Sequence, residues 1–128
     1  MHRLTVPGVI DSLPAVSGFV QQVGAAAGLD PRACYRLRLA VVELVTNSIT
    51  HGYAEAGLSG DVELRAATDD RCVTVTIEDA AAPYDPTATP PPDDLDRPAE
   101  ERRIGGLGVY LALHDVDAFR YERAGGRN

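Results

Sequence analysis

After Asp11 and Ser12, the apolar residues Leu13, Val16, Val20 and Val23 recur at helical spacing until Gly28. Asp11 and Ser12 suit N-caps and Pro14 suits a first turn, so this pattern predicts an amphipathic helix from Asp11 to Ala27. A second start follows at once. Asp30 can cap, Pro31 takes the first helical position, and the pattern runs to Gly52 as terminator, a helix of about 20 residues. From Asp61 to Thr68, Val62, Leu64 and Ala66 alternate with polar partners, and from Cys72 to Glu78 so do Val73, Val75 and Ile77. With Asp69-Asp70-Arg71 as the turn, these two segments predict an antiparallel hairpin. Residues 80 to 103 are dominated by Ala, Pro, Asp, Glu and Arg, including Pro90-Pro91-Pro92. So long a stretch without periodicity reads as a lid or mobile loop. Gly105-Gly106-Leu107-Gly108 then opens an apolar run through Leu113, and Ala118 to Arg123 resembles a final strand. No repeat or second domain is visible, and residues 1–128 read as a single domain.

The second helix breaks its own pattern in an informative way. It is almost wholly apolar between Leu37 and Ile49, which predicts burial around most of its circumference, yet Glu43, Asn47 and His51 interrupt it. Their spacing of i, i+4, i+8 stacks them along one face. A carboxamide pressed into a core without partners costs about 2–7 kcal/mol, so the strip faces solvent, a hydrogen-bond network or a ligand. A narrow solvated face would satisfy that requirement. So would a site, because a glutamate can accept or orient a proton, and an asparagine one turn away offers an uncharged oxygen to a hard cation such as Mg²⁺.

Composition narrows the chemistry. All twelve positive side chains are arginine. Without lysine there can be no P-loop lysine, ordinary protein-kinase strand lysine or Schiff base. The formal charge of -7 argues against a general binder of nucleic-acid backbones, whose affinity depends on clustered positive charge. No apolar run approaches the roughly 18 residues of a membrane span, and the N-terminus lacks the apolar core of a signal peptide, so a cytoplasmic location is expected. Cys34 and Cys72 have neither CxxC spacing nor a nearby histidine pair and are expected to be buried thiols.

Two further features sit where binding residues are commonly carried. Asp79 follows the second hairpin strand at the point where the chain leaves the sheet; it is either a turn aspartate or a binding group on a rigid scaffold. Gly105-Gly106-Leu107-Gly108 precedes a helical pattern. It serves either as a hinge closing the proline-rich loop or as a backbone cradle for phosphate at a helix N-terminus, which needs no lysine.

In this order, Glu43-Leu44-Val45-Thr46-Asn47-Ser48-Ile49-Thr50-His51-Gly52-Tyr53, Asp79 with Tyr84-Asp85-Pro86 after it, and Gly105-Gly106-Leu107-Gly108 resemble the N, G1 and G2 boxes of the histidine-kinase-like ATPases. The likeness is to the bacterial anti-sigma-factor serine kinases, and it runs from about Leu4 to Asn128. The resemblance implies an α/β two-layer sandwich, the Bergerat fold, with helices on one face of a mixed, mainly antiparallel sheet and ATP between helices under a lid at 80–103. It implies Glu43 as the group that orients or deprotonates an attacking serine hydroxyl, Asn47 as the Mg²⁺ ligand and Asp79 as the acceptor for the adenine amino group. Gly105, Gly106, Leu107 and Gly108 would wrap the phosphates. His51 aligns with a histidine common in the motif, or is a solvent-exposed residue at a helix end.

The implied function is an ATP-dependent serine kinase that phosphorylates a STAS-type anti-sigma-factor antagonist and sequesters a sigma factor as a homodimer. The alternative is a non-catalytic regulatory module of the same fold with weak or lost ATP binding. In Asp79-Ala80-Ala81-Ala82-Pro83, Ala81 stands where the family usually has a glycine, which predicts weak ATP affinity because a Cβ there crowds the close backbone approach expected at the base and resists φ > 0. Relatives also continue for one more strand after a similar Gly-Arg-Asn, so an uncovered sheet edge that a neighbouring subunit could occupy is expected. A metabolic enzyme has little support, since no nucleophile elbow, metal-ligand cluster or dinucleotide fingerprint is present.

Overall fold

The computed structural model describes residues 2–70, 72–83 and 116–128. The chain begins with strand β1 (His2–Pro7) and a 3₁₀ turn (Ile10–Ser12), followed by helices α1 (Leu13–Ala26) and α2 (Pro31–Asn47). A π-helical turn (Ser48–Ala54) leads to strands β2 (Asp61–Thr68) and β3 (Val73–Asp79). The strands form one antiparallel sheet in the order β1-β2-β3, and the helices lie on one side of it, an α/β two-layer sandwich.

The hairpin forms as its alternation predicts, but β1 is an addition. Leu4 and Val6 pair opposite Leu64 and Val62, so the short alternation in His2–Pro7 adds an edge strand to the same apolar face. Pro7 closes that strand at the sheet edge, where a missing N–H is tolerated. Val62, Leu64 and Ala66 are buried on this face beneath Val16 and Val20 of α1 and Val41 and Val45 of α2. Each fully buried valine or leucine contributes about 1.5–3 kcal/mol.

The helix ends are built differently from one another. Asp30 caps α2 by accepting from the Ala33 N–H at 2.8 Å, as predicted. At α1, neither Asp11 nor Ser12 caps the helix. The Ser12 hydroxyl instead donates back to the Pro7 carbonyl at 2.7 Å, tying the 3₁₀ turn to the end of β1. The α1 C-terminus closes through the Leu29 N–H on Gly24 O and the Gly28 N–H on Ala25 O, a Schellman arrangement.

Several expectations need correction. Gly52 does not terminate the second helix; α2 passes at Ser48 into the π turn and runs through Gly52 to Ala54. Burial of α2 is also one-sided, with Ala40, Val41 and Val45 in the core, Leu39, Val42 and Leu44 half-buried and Tyr35 56% exposed. Cys34 is only partly buried, against Gly24 at the α1–α2 crossing, and Cys72 is exposed in the hairpin turn. Residues 118–123 form no strand. They find no ladder partner among the described residues, and the chain instead makes a tight turn at Gly125-Gly126, whose φ angles of 60° and 76° fit a type I′ turn closed by Ala124 and Arg127.

The far face of the sheet is polar. Arg65 reaches Glu78 at 2.7 Å across the β2–β3 pair and Glu63 at 3.2 Å along its own strand. The hydrogen bond from Arg65 holds the Glu78 carboxyl below the usual carboxylate range. A carboxyl whose folded-state pKa is lowered stabilises the fold above its unfolded pKa, and that contribution disappears as pH falls through the folded value. Glu78→Gln is therefore expected to lower the melting temperature by a few degrees at neutral pH. The gap to the parent should close as the solution is acidified through the carboxylate range. Thermal melts across that range check it, and a pH-independent gap would show that the pair does not act through charge.

Candidate functional site

The apolar face of β3 ends in a carboxylate. Val75 and Ile77 sit opposite Ala66 and Leu64, and the same register sets Asp79 opposite Val62, on the helix-facing side of the sheet. Asp79 is 2% exposed. Its Oδ1 accepts from the Ala81 N–H at 3.1 Å and from the Asn128 carboxamide at 2.7 Å. Among the described residues no donor reaches its other oxygen. The turn role weighed for this residue therefore occupies one oxygen.

Opposite β3, α2 carries the polar stripe. Asn47 is buried, and its Nδ2 donates to the Glu43 carbonyl one turn earlier at 3.1 Å. One N–H of the carboxamide is thus used by the helix, and Oδ1 takes no hydrogen bond among the described residues. Among the described residues, no side-chain nitrogen or oxygen that is fully shut off from solvent lacks a partner. The open oxygens of Asn47 and Asp79 consequently keep a solvent path, as a ligand would need. Glu43 is half-buried, and its carboxylate makes no ion pair or hydrogen bond among the described residues. His51 separates from this group. The π turn winds fewer degrees per residue than an α-helix, so it re-aims His51, which pairs with Glu55 at 2.5 Å.

The same π turn joins the helix to the chain leaving β3, and sequence reasoning missed how. Tyr53 is 2% exposed; its hydroxyl donates to the Asp61 carbonyl at 2.7 Å and accepts from the Ala80 N–H at 2.9 Å. Burial pushes this hydroxyl's pKa up, which keeps it protonated to donate. Beside it the Ala82 N–H donates to Gly52 O at 3.0 Å. A β-carbon on Gly52 would lie 2.7 Å from the Ala81 methyl, so glycine is needed here for close approach and not for a turn. Ala81 is 1% exposed, belongs to the core and has no positive φ. Its methyl is spent on packing against Gly52, and the strain anticipated at this position does not arise. The signal was present in sequence as the adjacent Gly52-Tyr53, but only tertiary contact gives it meaning.

Gly105, Gly106, Leu107 and Gly108, Tyr84-Asp85-Pro86 and the predicted lid beyond residue 83 lie outside the described residues. No group of three or more histidine, cysteine, aspartate or glutamate side chains suited to a metal ion occurs among the described residues. No helix among them is long and apolar enough to cross a membrane.

The family model for the histidine kinase-like ATPase domain matches residues 6–128. The chain belongs to that family. No curated protein matches it significantly. In this histidine kinase-like ATPase domain, Asn47 lies on the helical layer and Asp79 at the end of the sheet, both on regular elements. Each residue has one polar atom engaged, Asn47 Nδ2 by the Glu43 carbonyl and Asp79 Oδ1 by the Ala81 N–H and the Asn128 carboxamide, and one without a partner among the described residues.

Tyr53→Phe tests the joint. The change leaves the Ala80 N–H and the Asp61 carbonyl without their partner, and the expected loss is about 1–3 kcal/mol of stability. Urea denaturation measures it, with faster amide exchange expected at Ala80. An unchanged midpoint and unchanged exchange would mean that the hydroxyl does not hold the joint.

Proposed function

We propose that this ATPase domain is a regulatory protein serine kinase. It binds Mg-ATP, transfers the γ-phosphate to a serine of a STAS-type anti-sigma-factor antagonist, and sequesters a sigma factor, acting as a cytoplasmic homodimer. The observation that carries the reading is the uncommitted Glu43 carboxylate one helical turn from Asn47, whose nitrogen is bonded away and whose oxygen is open.

The residues fit the groups required. The open oxygen of Asp79 is an acceptor for the exocyclic amine of adenine, and the Asn47 carboxamide oxygen suits a hard cation. Mg²⁺, when bound, neutralises charge on the phosphates. Glu43 accepts the serine proton as serine Oγ bonds to the γ-phosphorus; the bond from that phosphorus to the bridging oxygen breaks, and its electron pair leaves on ADP. Catalysis of this kind rests on positioning and charge, not on a covalent enzyme intermediate. Gly105, Gly106, Leu107 and Gly108 would hold the phosphates through backbone N–H groups. The lid expected at 80–103 would begin beyond residue 83, because residues 80–82 are fixed to Tyr53, Gly52 and Asn128 and Ala81 is in the core. No lysine is needed for any of these roles.

The second reading, a non-catalytic regulatory module, rests in part on Ala80-Ala81-Ala82. The share that comes from Ala81 weakens because its methyl packs against Gly52 within the core.

Glu43→Ala is expected to reduce phosphotransfer by about 10²–10⁴-fold while leaving ATP affinity largely intact. Asn47→Ala should instead weaken Mg-ATP binding itself. Transfer of labelled phosphate to the antagonist, with calorimetry for binding, separates the two. Parental transfer rates in both variants would remove these residues from the site, and tight antagonist binding without phosphoserine would favour the non-catalytic module.

A further inference from the structure

The carboxylate of Asp79 is oriented by a residue 49 positions away. Asn128 pairs with Asp79 through both backbone groups, its N–H donating to Asp79 O at 2.9 Å and its carbonyl accepting from the Asp79 N–H at 3.3 Å. Its side chain crosses over the same residue. Nδ2 donates to Asp79 Oδ1 at 2.7 Å, to Ala82 O at 2.9 Å and to Ala81 O at 3.3 Å, so two hydrogens are shared among three acceptors. The other end of the carboxamide is fixed as well. Asn128 Oδ1 accepts from the Tyr121 hydroxyl at 2.6 Å and from Arg123 Nη1 at 3.1 Å, and Arg123 Nη1 also donates to Ala81 O at 2.9 Å. With two donors on its oxygen, the carboxamide cannot flip without opposing like dipoles, and its nitrogen must face Asp79. The Gly125-Gly126 turn returns the chain to this place.

We infer that Asn128 is a positioning residue that sets nucleobase specificity, because it locks Asp79 with one oxygen occupied and the other presented only as an acceptor. The inference rests on the reading of Asp79 as the group that meets the base. An acceptor held in one orientation takes a base whose edge offers an amine, as 6-aminopurine does. It opposes a base with a carbonyl oxygen at that place, as guanine has, since two acceptors then face each other unpaired. A carboxylate free to turn would recruit water or a second donor and discriminate less.

The test uses the full chain and measures dissociation constants for ATP and GTP by calorimetry, together with kcat and KM for phosphotransfer. Asn128→Asp, which replaces the donor with a like charge, is expected to weaken ATP binding by about tenfold or more and to narrow the ATP-to-GTP ratio. The loss should fall on KM, with kcat at saturating ATP near the parental value. Tyr121→Phe, which leaves Asn128 in place and removes one restraint on it, should shift the ratio the same way by less. It keeps the question answerable if Asn128→Asp does not fold. Folded variants with the parental ratio would overturn the role of Asn128 while leaving the site intact. A parent chain that binds neither nucleotide would overturn both the site and this inference.

Discussion

The phenolic oxygen of Tyr53 bridges two backbone groups, the Asp61 carbonyl where β2 begins and the Ala80 N–H where β3 has just ended. A buried backbone group left without a partner is destabilising by an amount comparable to a large share of a domain's net stability, so the chain has few ways to leave β3 at this point. The ring that carries the hydroxyl is closely walled by Gly8 and Gly60, neither of which has room for a β-carbon. The joint therefore links the ends of all three strands to the last turn of the helical layer. Its position is set by packing that extends into the core through Ile49, Val62 and Ala81.

What depends on that joint is the relation between α2 and the end of β3. Asn47 belongs to the helix and Asp79 to the sheet; Asn47 is held by the Glu43 carbonyl and Asp79 by the Ala81 N–H and the Asn128 carboxamide, each with one oxygen left open among the described residues. Sites on rigid elements keep their geometry better than sites on loops, and this one is braced from both sides. Tyr53 and Gly52 hold residues 80–82 from the helical side, and Asn128 with Arg123 holds them from the C-terminal segment. The absence of lysine fits such a design, because a carboxamide oxygen and backbone groups recognise a metal–nucleotide through fixed dipoles. A domain of net charge -7 would repel a bare nucleotide anion, which is consistent with the proposed binding of the nucleotide together with its metal.

Much of this was legible in the sequence wherever local pattern decides the outcome. The hairpin, the Asp30-Pro31 start of α2 and the i, i+4 relation of Glu43 and Asn47 follow from periodicity and capping alone. Asp79 was legible as a carboxylate that ends an apolar alternation. Features set by distant contacts were not. The π turn carries Gly52 and Tyr53 to the end of β3, whereas the sequence shows only a glycine that reads as a stop signal. Ala81 looked like an obstacle because its packing partner, Gly52, lies 29 positions away. Asn128 gave no local sign of its bond to Asp79. The stretch at 118–123 alternates like a strand, but alternation without a neighbouring strand makes no ladder.

A structure with a non-hydrolysable ATP analogue and Mg²⁺ tests the central claim most directly. The account predicts the adenine amine on the open oxygen of Asp79, with the bonds from Ala81 and Asn128 to the other oxygen and from Ala80 to Tyr53 unchanged, and Asn47 turned to the metal through its carboxamide oxygen. Adenine bound away from Asp79, or an Asp79 side chain that rotates and exchanges its partners on binding, would contradict it.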